Sequence, residues 1–317
     1  MPVLTPLQPF FTAMIAGSNT PRTERPIAEA RAAMHAMVDA SFGALLSRST
    51  PAASERDHRI PVPGGEIALR VYSPALTKVP LPCHFHIHGG GFWLGTLDQS
   101  NSACRGLVSE AGCVVVSVDY RLAPEHKFPT APEDCYAALL WVVDHAGTLG
   151  IDTARISIGG GSAGANLATV VSQMARDRRG PALVLQVLEI PVTDFTDADP
   201  KCITEDGRIV PSGKEQYRDY YLADIGEAIL HYASPLLSPD LSGLPPALVM
   251  CAEFDPLRAE GQAYAERLKD AGVSVEYHCW PGQFHGSQHL AFLIPDEVAA
   301  FENQVVRALK QSYGTLA

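Results

Sequence analysis

Basic residues are scarce in this sequence of 317 residues. It has 24 lysines and arginines against 35 aspartates and glutamates, which gives a formal net charge of −11 at pH 7. A surface of that sign repels the phosphates of nucleic acids and the anionic headgroups of membranes. The sequence also lacks a run of basic residues that would offset this charge locally. We therefore expect no nucleic-acid partner and no insertion into a membrane.

Paired cysteines are missing as well. The seven cysteines are scattered, odd in number and never spaced as Cys-x-x-Cys, so neither a disulfide framework nor a zinc ribbon is indicated. The mostly apolar N-terminal stretch that precedes Arg22 has no basic residue and is interrupted by prolines, which is not typical of a secretory signal peptide. We predict a cytoplasmic protein.

Apolar residues, in contrast, are abundant, at 46% of the chain against 19% charged. They form short runs rich in Val, Ile and Leu, and segments with helical periodicity separate these runs. Such alternation is typical of a parallel sheet covered by helices on both faces. The sequence therefore predicts an α/β fold with a mostly parallel central sheet. The predicted strands are 84–88, 113–120, 155–160, 183–190, 247–253 and 274–280, and the predicted helices are 27–46, 98–111, 131–147, 163–177 and 257–271.

Two regions lie outside this alternation. Some forty residues from Phe195 to Ser234 separate two predicted strands, which is too long for a loop without structure of its own. We expect an inserted helical element there. The chain is predicted to be a single domain over residues 1–317, with a cap over one end of the sheet formed by about 1–50 and 195–235.

The glycine-rich turn GGGSAGANLA, Gly159–Ala168, has two interpretations. It contains GxGxxG, which binds a dinucleotide pyrophosphate, and also GxSxG, a nucleophile elbow centred on Ser162. The dinucleotide interpretation needs an acidic residue at a strand end about 20 residues further on. Glu189 is the acidic residue at the end of the next predicted strand, but it lies 25 residues past Gly164. The elbow is therefore favoured.

A serine nucleophile needs a base and a carboxylate to orient that base. Asp255 directly follows a predicted strand, at the sheet edge where open α/β folds place their chemistry, and Glu253 is its competitor. His285 follows the last predicted strand, and His289 is the alternative base. The resulting chain order of Ser, Asp and His is the one expected of an α/β-hydrolase.

The segment HGGGFW, residues 88–93, supplies the other requirement of acyl transfer. Three consecutive glycines leave backbone amides uncovered, as a loop that binds an oxyanion requires. Phe92 and Trp93 adjoin this loop and are interpreted as a wall of the substrate pocket. Tyr217, Tyr220 and Tyr221 are expected to pack within the cap, and the alternative is that one of them lines the pocket.

The sequence resembles the hormone-sensitive-lipase-like branch of the α/β-hydrolases, the bacterial family IV esterases. The resemblance extends from about Leu81 to Phe301 and rests on six motifs that occur in order. They are HGGGFW, VDYRLAPEHKFPTAPEDCYAALLWV, GGGSAGANLA, ASPLLSPDLSGLPPALV, EFDPLRAEGQAYAERLKDAGV and GQFHG.

The resemblance implies a carboxylic ester hydrolase of the α/β-hydrolase fold, acting on a small-molecule ester through an acyl-enzyme intermediate. We expect short- to medium-chain esters because the predicted cap looks closed and no interfacial helix is evident. No cofactor is expected. The residues that match the motifs of the family are Ser162, Asp255 and His285 for the catalytic triad, and Gly90, Gly91 and Ala163 for the oxyanion hole.

The sequence departs from the family at two positions and leaves some alternatives open. Gly161 stands where the family usually has Asp, and Ala165 stands where it usually has Gly; neither position carries chemistry in the mechanism. The cap regions match poorly, which leaves substrate choice open. Amide cleavage and non-catalytic ligand binding are alternatives on the same fold. The oligomeric state is open between a monomer and a homodimer.

Three histidines alternate along the first predicted parallel strand. His84, His86 and His88 therefore face the same side of the sheet, which raises the question of a metal site. His285 and His289 are spaced as HxxxH, but the glutamate of a metalloprotease helix is missing and glycines flank the segment. We expect no metal at either place.

Overall fold

An eight-stranded sheet forms the centre of the molecule, whose computed structural model describes residues 2–17, 26–46, 51–75, 79–197, 199–203, 207, 209–210 and 212–316. A second, two-stranded sheet lies in the segment that follows the sixth strand. The strands are β1 (Ser54–Val62), β2 (Gly65–Ser73), β3 (Leu81–Ile87), β4 (Val114–Asp119), β5 (Ile151–Gly161), β6 (Leu185–Glu189), β7 (Cys202–Ile203), β8 (Ile209–Val210), β9 (Ala247–Phe254) and β10 (Val275–Phe284).

The strand order in the large sheet is β1-β2-β4-β3-β5-β6-β9-β10. Six neighbouring strands of this sheet run parallel to each other, namely β4, β3, β5, β6, β9 and β10. In contrast, β2 pairs antiparallel with both β1 and β4. Parallel neighbours need crossover connections, and helices supply most of them. The predicted α/β fold with a mostly parallel central sheet is confirmed.

The helices precede, connect and follow the strands. They are α1 (Gln8–Gly17), α2 (Ile27–Leu46), α3 (Asn101–Ala111), α4 (Thr130–Asp144), α5 (Ala146–Leu149), α6 (Ala163–Asp177), α7 (Lys214–Tyr221), α8 (Arg258–Asp270) and α9 (Pro295–Ser312), with short 3₁₀ turns at Thr5–Leu7, Asp98–Ser100, Ile225–Ile229, Pro235–Leu237 and Ser287–His289. Of these helices in the described chain, none is both long enough and apolar enough to cross a membrane.

Two hydrophobic clusters cover the two faces of the sheet. On one face, α4, α6 and α8 pack on the central strands, and Ala163 to Ala175 of α6 are all buried. On the other face, α3 and α9 contribute Val108, Phe301 and Leu309. Because each central strand is covered twice, its side chains are apolar on both sides, as the near-continuous run VVVSV of β4 illustrates.

Each predicted strand and helix has a counterpart in the structure, although β5 begins earlier and β10 ends later than predicted. Other differences concern helices and the insertion. The helix predicted over 131–147 is divided into α4 and α5 at His145. The insertion after residue 195 contains the small β7–β8 sheet as well as α7, whereas only a helical element was predicted. The long helix α9 was not predicted, although Val298, Phe301, Val305 and Leu309 follow helical spacing and are buried.

The N-terminal helices contact the loops at the carboxyl ends of the strands. Phe11 of α1 packs on Phe254 and Phe284, the last residues of β9 and β10. Arg31 of α2 donates to the carbonyl oxygen of Trp93 at 2.7 Å and forms a two-point ion pair with Glu125. These contacts place the N-terminal segment above the end of the sheet where the predicted site residues are found.

Candidate active site

Ser162 occupies a sharp, strained turn between β5 and α6. Its backbone angles are φ 55° and ψ −115°, a conformation that a residue with a side chain rarely adopts. Its N–H donates to the carbonyl oxygen of Glu189 at 2.8 Å. On either side, a Cβ atom at Gly160 or Gly164 would lie 2.0 or 2.1 Å from the carbonyl oxygen of Ile87. The glycines therefore allow β5 to turn tightly into the helix and present the serine hydroxyl, as in a nucleophile elbow.

Two distant side chains line up with this hydroxyl. The Nε2 atom of His285 lies 3.0 Å from Oγ of Ser162, and its Nδ1 atom lies 2.8 Å from Oδ2 of Asp255. The other carboxylate oxygen of Asp255 accepts the N–H of Leu257 at 2.8 Å. The Asp255 side chain is buried, so its orientation is fixed from two sides. The structure thus brings together the three residues that the sequence analysis selected.

The two competing residues, Glu253 and His289, have different surroundings in the described structure. Glu253 instead accepts the N–H of Gly282 at 2.7 Å and supports the irregular end of β10. His289 lies in the 3₁₀ turn after His285, and its side chain is exposed to solvent.

The electrostatic setting favours a charged imidazole at His285. Burial lowers the pKa of His285, but the charge of Asp255, its hydrogen bond and the charge of Glu260 outweigh this effect, so that the pKa is raised. A buried carboxylate that stabilises an imidazolium suits a group that must accept a proton and later return it.

The glycine loop of residues 89–91 approaches the elbow closely. A Cβ atom at Gly89 would lie 2.7 Å from the carbonyl oxygen of Gly161. Gly90 and Gly91 have φ angles of 114° and 60°, and within the described residues their N–H groups donate to no protein acceptor. Ala163 is the first residue of α6, where an N–H has no intrahelical acceptor. Free backbone donors from two segments therefore flank Ser162.

His88, the residue before this loop, holds the loop in place through its contacts. Its Nδ1 lies 2.8 Å from the carbonyl oxygen of Gly89, and its ring stacks on Tyr120 with centroids 4.3 Å apart. The Tyr120 hydroxyl donates to the carbonyl oxygen of His88 at 3.1 Å. Burial lowers the pKa of His88 to about 4, so the ring is neutral and Nδ1 carries the proton that it donates to Gly89.

The two aromatic residues after the glycines differ in their surroundings. Phe92 is wholly buried and stacks on Tyr221 with centroids 3.8 Å apart, which favours a role in packing over one in a pocket wall. Trp93 is partly exposed and contacts Tyr220 edge to face. The interpretation as a pocket wall stays a prediction for Trp93.

Two of the three alternating histidines, His84 in β3 and His88 just after it, have hydrogen-bond partners in the protein. Nδ1 of His84 lies 2.9 Å from Oγ of Ser157, and burial lowers the pKa of His84 to about 3 and that of His86 to about 4. Across the described ranges, no three His, Cys, Asp or Glu side chains are arranged to hold a metal ion.

The two departures from the family pattern fit the local packing. A Cβ atom at Gly161 would meet Glu189 only at 3.9 Å, an ordinary contact distance, so the backbone does not require glycine there. Ala165 is fully buried in α6. Burial raises the pKa of Glu189 to about 7, and the charge of Glu302 adds to this shift.

Three polar residues near the site were not identified from the sequence. Lys214 and Glu260 form a buried ion pair, and Asn166 donates to the carbonyl oxygens of Val192 and Ala233 at 2.9 and 3.0 Å. Helical periodicity does not reveal these roles, because a lysine on an inserted helix is usually exposed. The sequence does place Asn166 in the segment GANLA and Glu260 in the segment AEG. Closeness to the motifs of Ser162 and Asp255 was therefore the only available signal for these two residues.

Comparison with known proteins supports the same conclusion about the family. The α/β-hydrolase fold family matches residues 84–289. A carboxylesterase of Mycobacterium tuberculosis, NlhH, is 43% identical over 240 residues, which cover 73% of this chain and 74% of that protein. An ethyl acetate hydrolase of Pseudomonas putida is 36% identical over 256 residues, covering 78% and 79% of the two chains.

A solved structure is also similar over almost the whole chain. The hyperthermophilic esterase from the archaeon Pyrobaculum calidifontis superposes with a TM-score of 0.86 and 36% sequence identity, covering 98% of this chain and 99% of that one. Together with the elbow and the sheet topology, these similarities assign the fold and the class of reaction. The chain belongs to the hormone-sensitive-lipase-like branch of the α/β-hydrolases, the bacterial family IV, and is a serine carboxylesterase.

Proposed function

We propose that this enzyme hydrolyses short- to medium-chain carboxylic esters with Ser162, His285 and Asp255 as its catalytic triad. The observation that carries the proposal is the continuous hydrogen-bonded chain from Ser162 through His285 to Asp255, with lengths of 3.0 and 2.8 Å. The Ser162 end of this hydrogen-bonded chain lies beside backbone amides that donate to no protein acceptor in the described structure.

Acylation begins when Nε2 of His285 accepts the proton of the Ser162 hydroxyl. Oγ then attacks the carbonyl carbon of the ester, and the carbonyl electrons move onto oxygen. Asp255 keeps His285 in the tautomer that leaves Nε2 free, and its charge stabilises the imidazolium. His285 returns the proton to the alcohol oxygen as the ester C–O bond breaks, which leaves an acyl-serine at Ser162.

Deacylation repeats these steps with water. His285 accepts a proton from water while the water oxygen attacks the acyl carbon, and it then protonates Oγ of Ser162 as the acid departs. In both halves, the negative charge on the former carbonyl oxygen is held by the N–H groups of Gly90, Gly91 and Ala163. Donors fixed in advance by the backbone need no reorganisation during the reaction, and one such donor typically contributes about 10²- to 10³-fold in kcat.

We also propose that segments 1–50 and 195–235 form a cap on the single domain of residues 1–317. The contacts of Arg31 with the carbonyl oxygen of Trp93 and of Asn166 with that of Ala233 support this assignment. Residues 1, 18–25, 47–50, 198, 204–206, 208 and 211 of these segments lie outside the described residues. A cap that covers the site limits chain length, and the ethyl acetate hydrolase among the relatives has a name consistent with short esters.

The cytoplasm is the location that we propose. All seven cysteines are free thiols, which suits a reducing compartment. Because the net charge is −11, we further propose that small-molecule esters, and not nucleic acids, are the ligands of this protein.

A series of p-nitrophenyl esters from acetate to palmitate tests the proposed function. We expect kcat/KM to be largest for acyl chains of about two to eight carbons and to fall steeply beyond them. A matched p-nitroanilide of the best acyl group serves as the control for amide cleavage and should react much more slowly. Preference for palmitate, or for the anilide, would contradict the proposal.

A further inference from the structure

A buried ion pair connects helix α7 of the insertion to the catalytic end of the sheet. Lys214, the first residue of α7, is fully buried, and its ammonium group contacts the carboxylate of Glu260 in the first turn of α8. Glu260 lies five residues after Asp255. The pair therefore joins the insertion to the segment that carries the triad carboxylate.

Glu260 is fixed on its other side by the backbone that follows β6. Its second carboxylate oxygen accepts the N–H of Thr193 at 2.7 Å, and its backbone carbonyl accepts the Thr193 hydroxyl at 3.0 Å. Glu260 thus has a defined position without Lys214, and Lys214 is the partner that is brought to it. An ion pair out of water is costly unless its geometry is well satisfied, so a loosely placed helix would not retain it.

Tyr217 lies one turn after Lys214 on the same helix and reaches the oxyanion loop. A Cβ atom at Gly91 would lie 3.2 Å from Cβ and 3.3 Å from Cγ of Tyr217, so the tyrosine packs directly over the glycine backbone. The Gly91 N–H is one of the free donors described above. Burial raises the pKa of Tyr217, and the charges of Glu260 and Asp255 add to this shift. Tyr217 therefore lies beside the space that a substrate carbonyl would occupy.

The other end of α7 is held independently. Lys127 donates to the carbonyl oxygens of Asp219 and Leu222 at 2.9 and 2.7 Å, and Tyr221 is buried in an aromatic cluster against Phe92. Loss of the Lys214 contact would release the N-terminal half of α7, including Tyr217, while the C-terminal half stays in place.

We propose that Tyr217 sets the size of ester that the site accepts, and that the buried Lys214–Glu260 pair is the positioning device that holds Tyr217 over Gly91. This inference rests on the proposed esterase function and deepens it by naming a wall of the substrate site. The tyrosine contacts the substrate, whereas the ion pair acts only through the tyrosine.

Two variants and their combination test the proposal. Tyr217→Ala removes the wall. The double variant K214M/E260Q removes both buried charges together, and the amide oxygen introduced at position 260 can still accept the Thr193 N–H. Glu215→Gln, at an exposed residue of the same helix, is the matched control. Each protein is assayed with p-nitrophenyl esters of increasing acyl length and with acetates of increasing alcohol length.

Tyr217→Ala is expected to raise the kcat/KM of an eight-carbon ester relative to the two-carbon ester by about tenfold in one of the two series, mainly through KM. K214M/E260Q should shift the same series in the same direction by about threefold. The shift should vanish in the Tyr217→Ala background, because coupled residues are not additive. E215Q should leave the ratio unchanged. An unchanged ratio in Tyr217→Ala, or an undiminished shift in the triple variant, would overturn the proposal.

Hydrogen exchange provides a readout that does not depend on activity. Amides of residues 214–219 should exchange faster in K214M/E260Q than in the wild type, while those of α8 keep their wild-type rates; equal exchange in 214–219 would overturn the anchoring role. If the wild type hydrolyses no ester, the proposed function fails, and the exchange rates still decide whether the pair anchors the helix. If the double variant does not fold, Tyr217→Ala alone decides the size preference.

Discussion

His285 lies 3.0 Å from the hydroxyl of Ser162, although 123 residues separate them along the chain. The serine is presented by a strained turn at the end of β5, and the histidine directly follows β10 at the far edge of the sheet. Asp255 directly follows β9, one of the two strands between β5 and β10, and hydrogen-bonds His285. Because parallel strands end at one edge of the sheet, three distant segments deliver their side chains to one place.

The pH dependence of kcat/KM should show an acid limb above the ordinary histidine value. His285 must be neutral to accept the serine proton, and its pKa is raised by Asp255 against the opposing effect of burial. Activity should therefore fall as the pH drops through a value above about 6.5. The measurement is kcat/KM for a neutral ester between pH 4 and 9. A rate that stays level down to pH 4 would exclude His285 as the base.

Asp255→Asn should lower kcat by about 10³- to 10⁴-fold, because the amide favours the wrong imidazole tautomer. Steady-state kinetics with p-nitrophenyl acetate provide the measurement. Glu253→Gln is the matched control, since Glu253 is the nearby carboxylate that binds the Gly282 N–H instead of His285. It should retain kcat within about threefold. Equal losses in the two variants would argue against the assignment of Asp255.

Gly164→Ala should destabilise the protein by about 3 kcal/mol, because the added methyl group would collide with the carbonyl oxygens of Ile87 and His88. Urea unfolding measures the effect. Gly106→Ala on α3 is the control, since its Cβ atom meets nothing within 4 Å and alanine is the better helix former by up to about 1 kcal/mol. A Gly164→Ala protein as stable as the wild type would show that the close approach at the elbow is wrong.

Ser162→Ala should reduce kcat by at least about 10⁴-fold while the protein remains folded. The comparison is made with Ser172→Ala on the same helix, whose buried hydroxyl bonds the carbonyl oxygen of Ala168 away from the site. That control should keep its activity. If Ser162→Ala retained most of the wild-type rate, another nucleophile would be at work.

The sequence alone predicted the α/β fold and singled out the six residues that we propose for the triad and the oxyanion hole, because both depend on local patterns. Alternating apolar runs predicted the parallel sheet, and α6 begins and ends at the predicted residues. The glycines around Ser162 predicted the elbow because only residues without a side chain allow that approach.

The contacts of the insertion could not be predicted in the same way. The burial of Lys214 depends on its ion pair with Glu260 in the folded chain. No sequence pattern around either residue predicts that it pairs with the other. Phe92 illustrates the same limit, because its position beside the glycines suggested a pocket wall, whereas its ring is buried against Tyr221. Pairings between distant segments require the three-dimensional structure.

The most direct test of the central claim is covalent labelling with diethyl p-nitrophenyl phosphate followed by peptide mass mapping. The account predicts one diethylphosphoryl group per chain, attached to Ser162, with p-nitrophenol released in equal amount and all esterase activity lost. Ser162→Ala should remain unlabelled. A label on a different residue, or full activity after stoichiometric labelling of Ser162, would contradict the claim that this hydroxyl is the nucleophile.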